Sequence, residues 1–178
     1  MEQFLRSKIS QTNIEDIVYA TKIYQTLEDL KHNNYGMSVC LGYDSSMSSH
    51  VYPMDHDIYA GKDYNVLDND FKDKLKLSSI YDGAVLVSGQ GVLKHSGMYF
   101  GHDPIQALFS MGKTLNNQTL WQAYNFCLPV CSRHISAISA SFHLPLTYIF
   151  VLSEEYSTIR VFHRGKIIYS SFKQEINI

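Results

Sequence analysis

Cysteine is scarce in this chain: Cys40, Cys127 and Cys131 are the three among 178 residues. An odd number cannot all pair within one chain. Cys127 and Cys131 also lack the matching Cys/His pair that a zinc site needs. Buried or idle thiols in a reducing cytosol are the expectation. A basic surplus is missing as well. Fifteen Lys and Arg stand against seventeen Asp and Glu, a formal charge of -2, whereas a sequence-blind nucleic-acid binder displaces counterions with excess positive charge. No nucleic-acid partner is expected. Long apolar runs are absent: the most apolar stretch, residues 144–152, contains Pro145 and Thr147 and is far shorter than a bilayer span. Residues 1–10 mix Glu2, Arg6 and Lys8 with too few apolar side chains for a signal peptide. A cytoplasmic location without a membrane span is therefore expected. Ready-made catalytic signatures are missing too. There is no Gly-x-x-x-x-Gly-Lys-Ser/Thr loop, no Gly-x-Ser-x-Gly elbow and no His-Glu-x-x-His, and Gly89, Gly91 and Gly97 do not fit a dinucleotide fingerprint.

What is present argues for one well-packed domain. Hydrophobic residues make up 45% of the chain, with 13 Tyr and 9 Phe, and charged residues only 18%, which excludes long-range disorder. The length suits a single core. Thr12 and Glu15 have capping-box spacing. Ile14, Ile17, Ala20, Tyr24, Leu27 and Leu30 then recur at steps of three and four, predicting a helix over about 13–31 with Asn33, Asn34 and Gly36 as stop signals. A buried strand follows over 37–41, then a loop over 42–63. This loop carries Asp55-His56-Asp57, a run able to ligate metal but more often merely solvated. A short helix after Asp68 would turn Phe71 and Leu75 inward and Lys72, Lys74 and Lys76 outward. Residues 84–87 and 92–94 around a Ser-Gly-Gln-Gly turn read as a hairpin. Helices are predicted from Asp103-Pro104 to about Met111, over 120–126 and over 134–142, and strands over 147–152, 158–162 and 166–169. Alternating helices and strands give an α/β fold, a single domain with a central mixed β-sheet flanked by helices.

Three polar groups stand at element ends: Asp82-Gly83-Ala84, Ser132-Arg133-His134 and Ser153-Glu154-Glu155. Each has an ordinary reading, as a turn, an N-cap and a hairpin loop. Together they offer carboxylates for a divalent cation, plus a guanidinium, a hydroxyl and helix N–H groups for phosphate.

Their order adds specificity. Asp82-Gly-Ala-Val-Leu-Val, then Ser132-Arg-His, then Val151-Leu-Ser-Glu-Glu, then a strand and Arg164-Gly-Lys resemble the diadenylate cyclase (DAC, or DisA_N) domain family. Residues 27–43, a helix end followed by Tyr35-Gly36 and an apolar strand, look like that family's opening. The resemblance implies a metal-dependent condensation of two ATP into cyclic di-AMP, with release of two pyrophosphates, between two facing protomers. It gives Asp82 a divalent metal, Mn²⁺ or Mg²⁺, beside the attacking 3′-hydroxyl, with Glu155 as a second metal ligand or an orienting carboxylate. Gly83 would offer backbone contact to the adenine, Ala84 belongs to the nucleotide-binding set, and Tyr99 and Phe100 would sandwich the base. Ser132, Arg133 and His134 would grip the phosphates, and Ser153 belongs to the same nucleotide-binding set.

Two departures stand out. Ile135 replaces the second Arg of the family's Arg-His-Arg motif, and the interval from Asp82 to Arg133 is longer than the family pattern, with the excess at 103–130, a helical insertion. A lid, an element blocking dimerisation or a partner surface would each suit it. An active cyclase with a homodimeric site is the first expectation. A catalytically weakened nucleotide-binding or sensor module is the second, and a purely structural interaction domain the third.

Overall fold

The computed structural model describes residues 14–33, 35–172 and 175. Thr12, Asn13 and Asn34, which carry part of the predicted start and stop of the first helix, lie outside the described residues. That helix, α1 (Ile14–Leu30), opens with Glu15 and Asp16, whose charge suits the positive end of the helix dipole. Ile17, Ala20, Ile23, Tyr24, Leu27 and Leu30 are buried, as the spacing requires. A 3-10 turn (Lys31–Asn33) ends it.

Strand β1 (Met37–Tyr43) follows. The segment expected to be loop over 42–63 has more order: a 3-10 turn (Ser45–His50), N-capped by Asp44 through Ser46 N at 2.9 Å, and then β2 (Val51–Pro53). β2 is invisible to periodicity because it is three residues long at a sheet edge. β3 (Tyr64–Asn65) precedes α2 (Phe71–Ser78), which buries Phe71 and Leu75. Lys74 does not point freely outward. It reaches Asp68 and Asp70 at 2.9 and 2.7 Å and lies over the Tyr64 ring. The hairpin β4 (Ala84–Ser88) and β5 (Val92–Phe100) is longer than predicted on its second arm. Then come α3 (Pro104–Ser110), α4 (Leu120–Ala123) and α5 (Ser132–His143), and the strands β6 (Tyr148–Leu152), β7 (Ile159–His163) and β8 (Lys166–Ser170). Pro104 at N1, with the Asp103 carboxylate accepting from Ile105 N at 2.8 Å, starts α3.

Eight strands form one mixed sheet in the order β2-β5-β4-β1-β6-β7-β8, with β3 also paired to β5. Among the described residues only β1 and β4 pair in parallel; the other pairings are antiparallel. The two-residue period of a strand divides the core. Met37, Val39, Leu41, Val85, Val87, Phe150 and Leu152 face α1 and α2. Cys40, Ala84, Leu86, Ile149 and Val151 face α5, α3 and the 120–126 segment. A sheet covered on both faces explains why its central strands read as continuous apolar runs rather than alternating ones. Each fully buried large aliphatic or aromatic side chain contributes roughly 1.5–3 kcal/mol. Among the described residues no helix is long and apolar enough to cross a membrane.

Candidate functional site

A cleft of about 280 Å³ opens where the start of β1, the start of β4, the end of β5, the first turn of α5 and the β6–β7 corner meet. Four of these are element ends, so the backbone groups there are not all consumed by ladder or helix bonds. Asp82, Gly83, Ala84, Tyr99, Phe100, Ser132, Arg133 and Glu155 line it. Three corners distant in sequence therefore converge on one hollow.

The Asp82 corner is held from below. Its N–H donates to Asp55 Oδ2 at 3.2 Å, leaving its own exposed carboxylate turned to the cleft. Gly83 has φ +111°, and a Cβ there would come within 2.6 Å of Gly97 C and Met98 N. Only glycine permits this approach of β4 to β5. Asp57 binds no second carboxylate for a metal. It accepts from Ser96, Tyr59 and Ala60 N–H at 2.9, 3.1 and 3.1 Å and pairs with His95 at 2.7 Å, so the Asp55-His56-Asp57 run fastens its loop to β5.

α5 presents its N-terminus to the cleft. Its N-cap, Cys131, makes no side-chain cap to the helix N–H groups, and Cys131, Ser132, Arg133 and Ser136 all line the hollow. Helix residues advance 100° each, so Ser136 shares a face with Arg133 while His134 and Ile135 turn away. Both are buried, His134 to 1% exposure. The expected phosphate grip by His134 is thus corrected. Arg160 Nη1 lies 3.1 Å from His134 Nε2, and because a guanidinium can only donate, Nε2 is the acceptor and Nδ1 carries the proton. That proton faces Cys131 Sγ at 3.4 Å. Burial, then the charges of Arg160 and Arg133, push the His134 pKa down to about 3. A neutral imidazole here orients the N-cap and adds no positive charge to the cleft. Arg160 is itself fully buried in a bidentate pair with Glu175, 2.7 and 2.8 Å.

Two further expectations need correction. Tyr99 and Phe100 are consecutive in a strand and leave opposite faces, Tyr99 exposed at 47% and Phe100 buried at 4%, so they cannot clamp one ring from both sides. Tyr99 offers an open aromatic face, while Met98 and Phe100 form apolar floor. Ser153 is buried and does not line the cleft. Its hydroxyl donates to Glu155 Oε2 at 3.0 Å and accepts from Tyr156 N at 3.4 Å, which sets the corner.

Some cleft residues escape sequence reasoning. Ser38 is 3% exposed, lines the cleft, and its hydroxyl has no partner. A buried orphan hydroxyl calls for a ligand or water. The only signal was one polar residue in the run Met-Ser-Val-Cys-Leu. Gly36, read as a helix stop, lies under Arg133: a Cβ there would overlap the guanidinium and stand 3.1 Å from Glu154 Oε2.

Among the described residues no group of three or more His, Cys, Asp or Glu could hold a metal ion. Asp82 and Glu155 alone do not make a protein cage. Both line the cleft, and one or two carboxylates are what a Mg²⁺ ion carried on a ligand's phosphates requires.

No family model matches the chain, and no curated protein does. Its fold is similar to the crystal structure of a hypothetical membrane spanning protein from Bacillus cereus, with TM-score 0.58, 16% identity, and coverage of 94% of this chain and 68% of that one. It is also similar to a double mutant of DacA from Staphylococcus aureus, a diadenylate cyclase, with TM-score 0.56, 14% identity and 89% of each chain covered. At these identities the likeness is one of fold.

Proposed function

We propose that the chain is a nucleotidyltransferase of the diadenylate cyclase type, binding ATP in the cleft and condensing two ATP into cyclic di-AMP across a homodimer. The observation that carries this reading is the convergence of Asp82, Arg133 and Glu155, from three separate corners, beside an open helix N-terminus. The fold likeness to DacA supports the same class.

In this mechanism the α5 N–H groups, the Ser132 hydroxyl and the Arg133 guanidinium hold the triphosphate, and Ser38 supplies one more hydroxyl. Gly83 and Ala84 let the adenine approach the backbone, and Tyr99 stacks on its open face. The 3′-hydroxyl oxygen of each ATP attacks the α-phosphorus of the other. One P–O bond forms, the bond to pyrophosphate breaks, and pyrophosphate leaves with the electron pair. Asp82, exposed in the cleft, would take the hydroxyl proton. A divalent cation, Mn²⁺ or Mg²⁺, held by Asp82 and Glu155 together with the phosphates, would neutralise charge on the transferring group. Positioning does most of the work in such a transfer. A cleft of about 280 Å³ lies just below the usual range for a ligand site, and a facing protomer would complete it from its open side.

Incubation of the chain with ATP and Mn²⁺ or Mg²⁺, read by mass spectrometry, tests this. Cyclic di-AMP is expected, with specific activity rising with protein concentration and loss of at least about a hundredfold in Asp82→Asn. Absence of product from folded protein at high concentration overturns it. A second reading, a nucleotide sensor, has one observation in its favour: with His134 neutral and Ile135 in the core, Arg133 is the one guanidinium lining the cleft among the described residues. ATP binding without turnover would select it, and no nucleotide-induced thermal shift would leave only a structural role.

A further inference from the structure

A second and larger cavity, about 460 Å³, lies away from the cleft, between the 103–130 segment and the β7–β8 turn. Its walls mix two chemistries. Met111, Tyr124, Phe142 and Ile167 supply apolar surface, while Lys113, Arg164 and Lys166 supply three cations. None of the three makes an ion pair with a carboxylate among the described residues. The one carboxylate in the wall, Glu175, is already saturated: Arg160 takes both its oxygens, and Ser170 Oγ and Cys127 N donate to them at 2.7 and 3.4 Å. Among the described residues the cavity wall therefore carries positive charge without an ion-pair partner, on half-buried Lys113 and on the exposed Arg164 and Lys166.

Turn geometry shapes one wall of the cavity. Gly165 has φ +72°, a left-handed turn position that favours glycine, and it lies against the thioether end of Met111. Arg164 and Asn125, both in the wall, hold left-handed φ of +50° and +68°. Arg164 and Gly165 form the two-residue turn of the β7–β8 hairpin, where positive φ at both positions is the favoured geometry. Arg164 Nε is further fixed on Pro145 O at 3.3 Å. Lys113 is half-buried beside the Tyr124 ring, 5.9 Å from its centroid, and burial lowers its pKa. An anion placed there would offset that desolvation.

We infer that this cavity binds a small organic anion, a phosphate or carboxylate group seated on Lys113, Arg164 and Lys166 with an apolar or aromatic body against Met111, Phe142 and Ile167. The site is independent of the nucleotide cleft, and this inference does not rest on the cyclase reading.

Phenyl phosphate and phenylacetate are suitable probes, with inorganic phosphate as the control lacking a body. Calorimetric titration of the full chain is expected to show saturable binding of at least one aromatic probe, tighter than inorganic phosphate. The affinity should fall about tenfold in Lys113→Met and again in Lys113→Met/Lys166→Gln, and should persist in Arg133→Ala, which alters only the cleft. Thermal melts of the unliganded variants check that they fold. Lys113→Gln serves as a second variant where Lys113→Met does not. No saturable binding, equal affinity for inorganic phosphate, or loss of binding in Arg133→Ala but not in the Lys113 variants each overturns the inference.

Discussion

Arg133 sits over a residue that has no side chain, and this pairing makes Gly36 a tuning point for the cleft. Gly36 does not hold a left-handed φ, so alanine is acceptable to its backbone. The overlap falls on the far end of a flexible arginine, which can swing away at little cost. Gly36→Ala is therefore expected to leave the melting temperature within about 2 °C, an effect under roughly 0.5 kcal/mol. ATP affinity should drop about threefold to tenfold as the guanidinium is displaced, and calorimetry alongside a thermal melt would measure both. At this scale the sequence was partly legible. Asp82, Arg133 and Glu155 are polar residues at the ends of apolar runs, and their convergence on one cleft follows the pattern of the motifs. His134 was misplaced because adjacency in a motif says nothing about the 100° step between helix residues. Tyr99 and Phe100 failed for the equivalent reason in a strand. Ser38 was hidden because one serine in a buried strand looks like a packing choice until its hydroxyl is found without a partner.

At the scale of elements, α5 ties the cleft to the interior through a line of polar contacts. Glu175 holds Arg160, Arg160 donates to His134, and His134 faces the N-cap Cys131. Removing one member leaves a buried charge uncompensated. Arg160→Met is expected to cost about 3–5 kcal/mol in urea unfolding, and Arg160→Met/Glu175→Gln to recover part of it, because the second change removes the orphaned carboxylate. The helices and most strands were legible from their periods: α1, α2, α3 and α5 all appear close to their expected bounds. The helix expected over 120–126 is shorter, α4 ending at Ala123, with Asn125 in a left-handed conformation just beyond. No apolar period marks a one-turn helix, so its end could not be read. The other end of α5 meets a different cluster. His143 stacks on His102 at 4.3 Å, and His102 on His50 at 5.0 Å. Burial, then His143 and His50, push the His102 pKa down to about 4, and burial lowers that of His143. A histidine depressed in the folded state binds fewer protons than it does unfolded. Stability from His102 and His134 is therefore complete above about pH 6.5 and is lost progressively as acid approaches their folded values. Urea unfolding at pH 7 and pH 5 should differ by roughly 1–2 kcal/mol for the half-buried stack after solvent screening, and His102→Gln should flatten that slope.

Across the whole molecule the class of fold was legible, while the strand order was not. Alternation of helices and strands, with apolar runs too continuous for a one-sided sheet, fixes an α/β arrangement. Strand order depends on pairings between segments that are remote in the chain, and no local pattern records them. β1 is the extreme case. It lies between β4 and β6, matching Val39 with Val85 on one side and Phe150 on the other. The hairpins β4–β5 and β6–β7–β8 close over short turns, whereas β1 gains neither neighbour until a long stretch of chain has been brought back to it. During synthesis an apolar strand made early must therefore wait, unpaired until β4 has left the ribosome and open along its other edge until β6 has followed. Docking of β1 would be the slow event in refolding, and the half-made chain is where chaperones would be most needed.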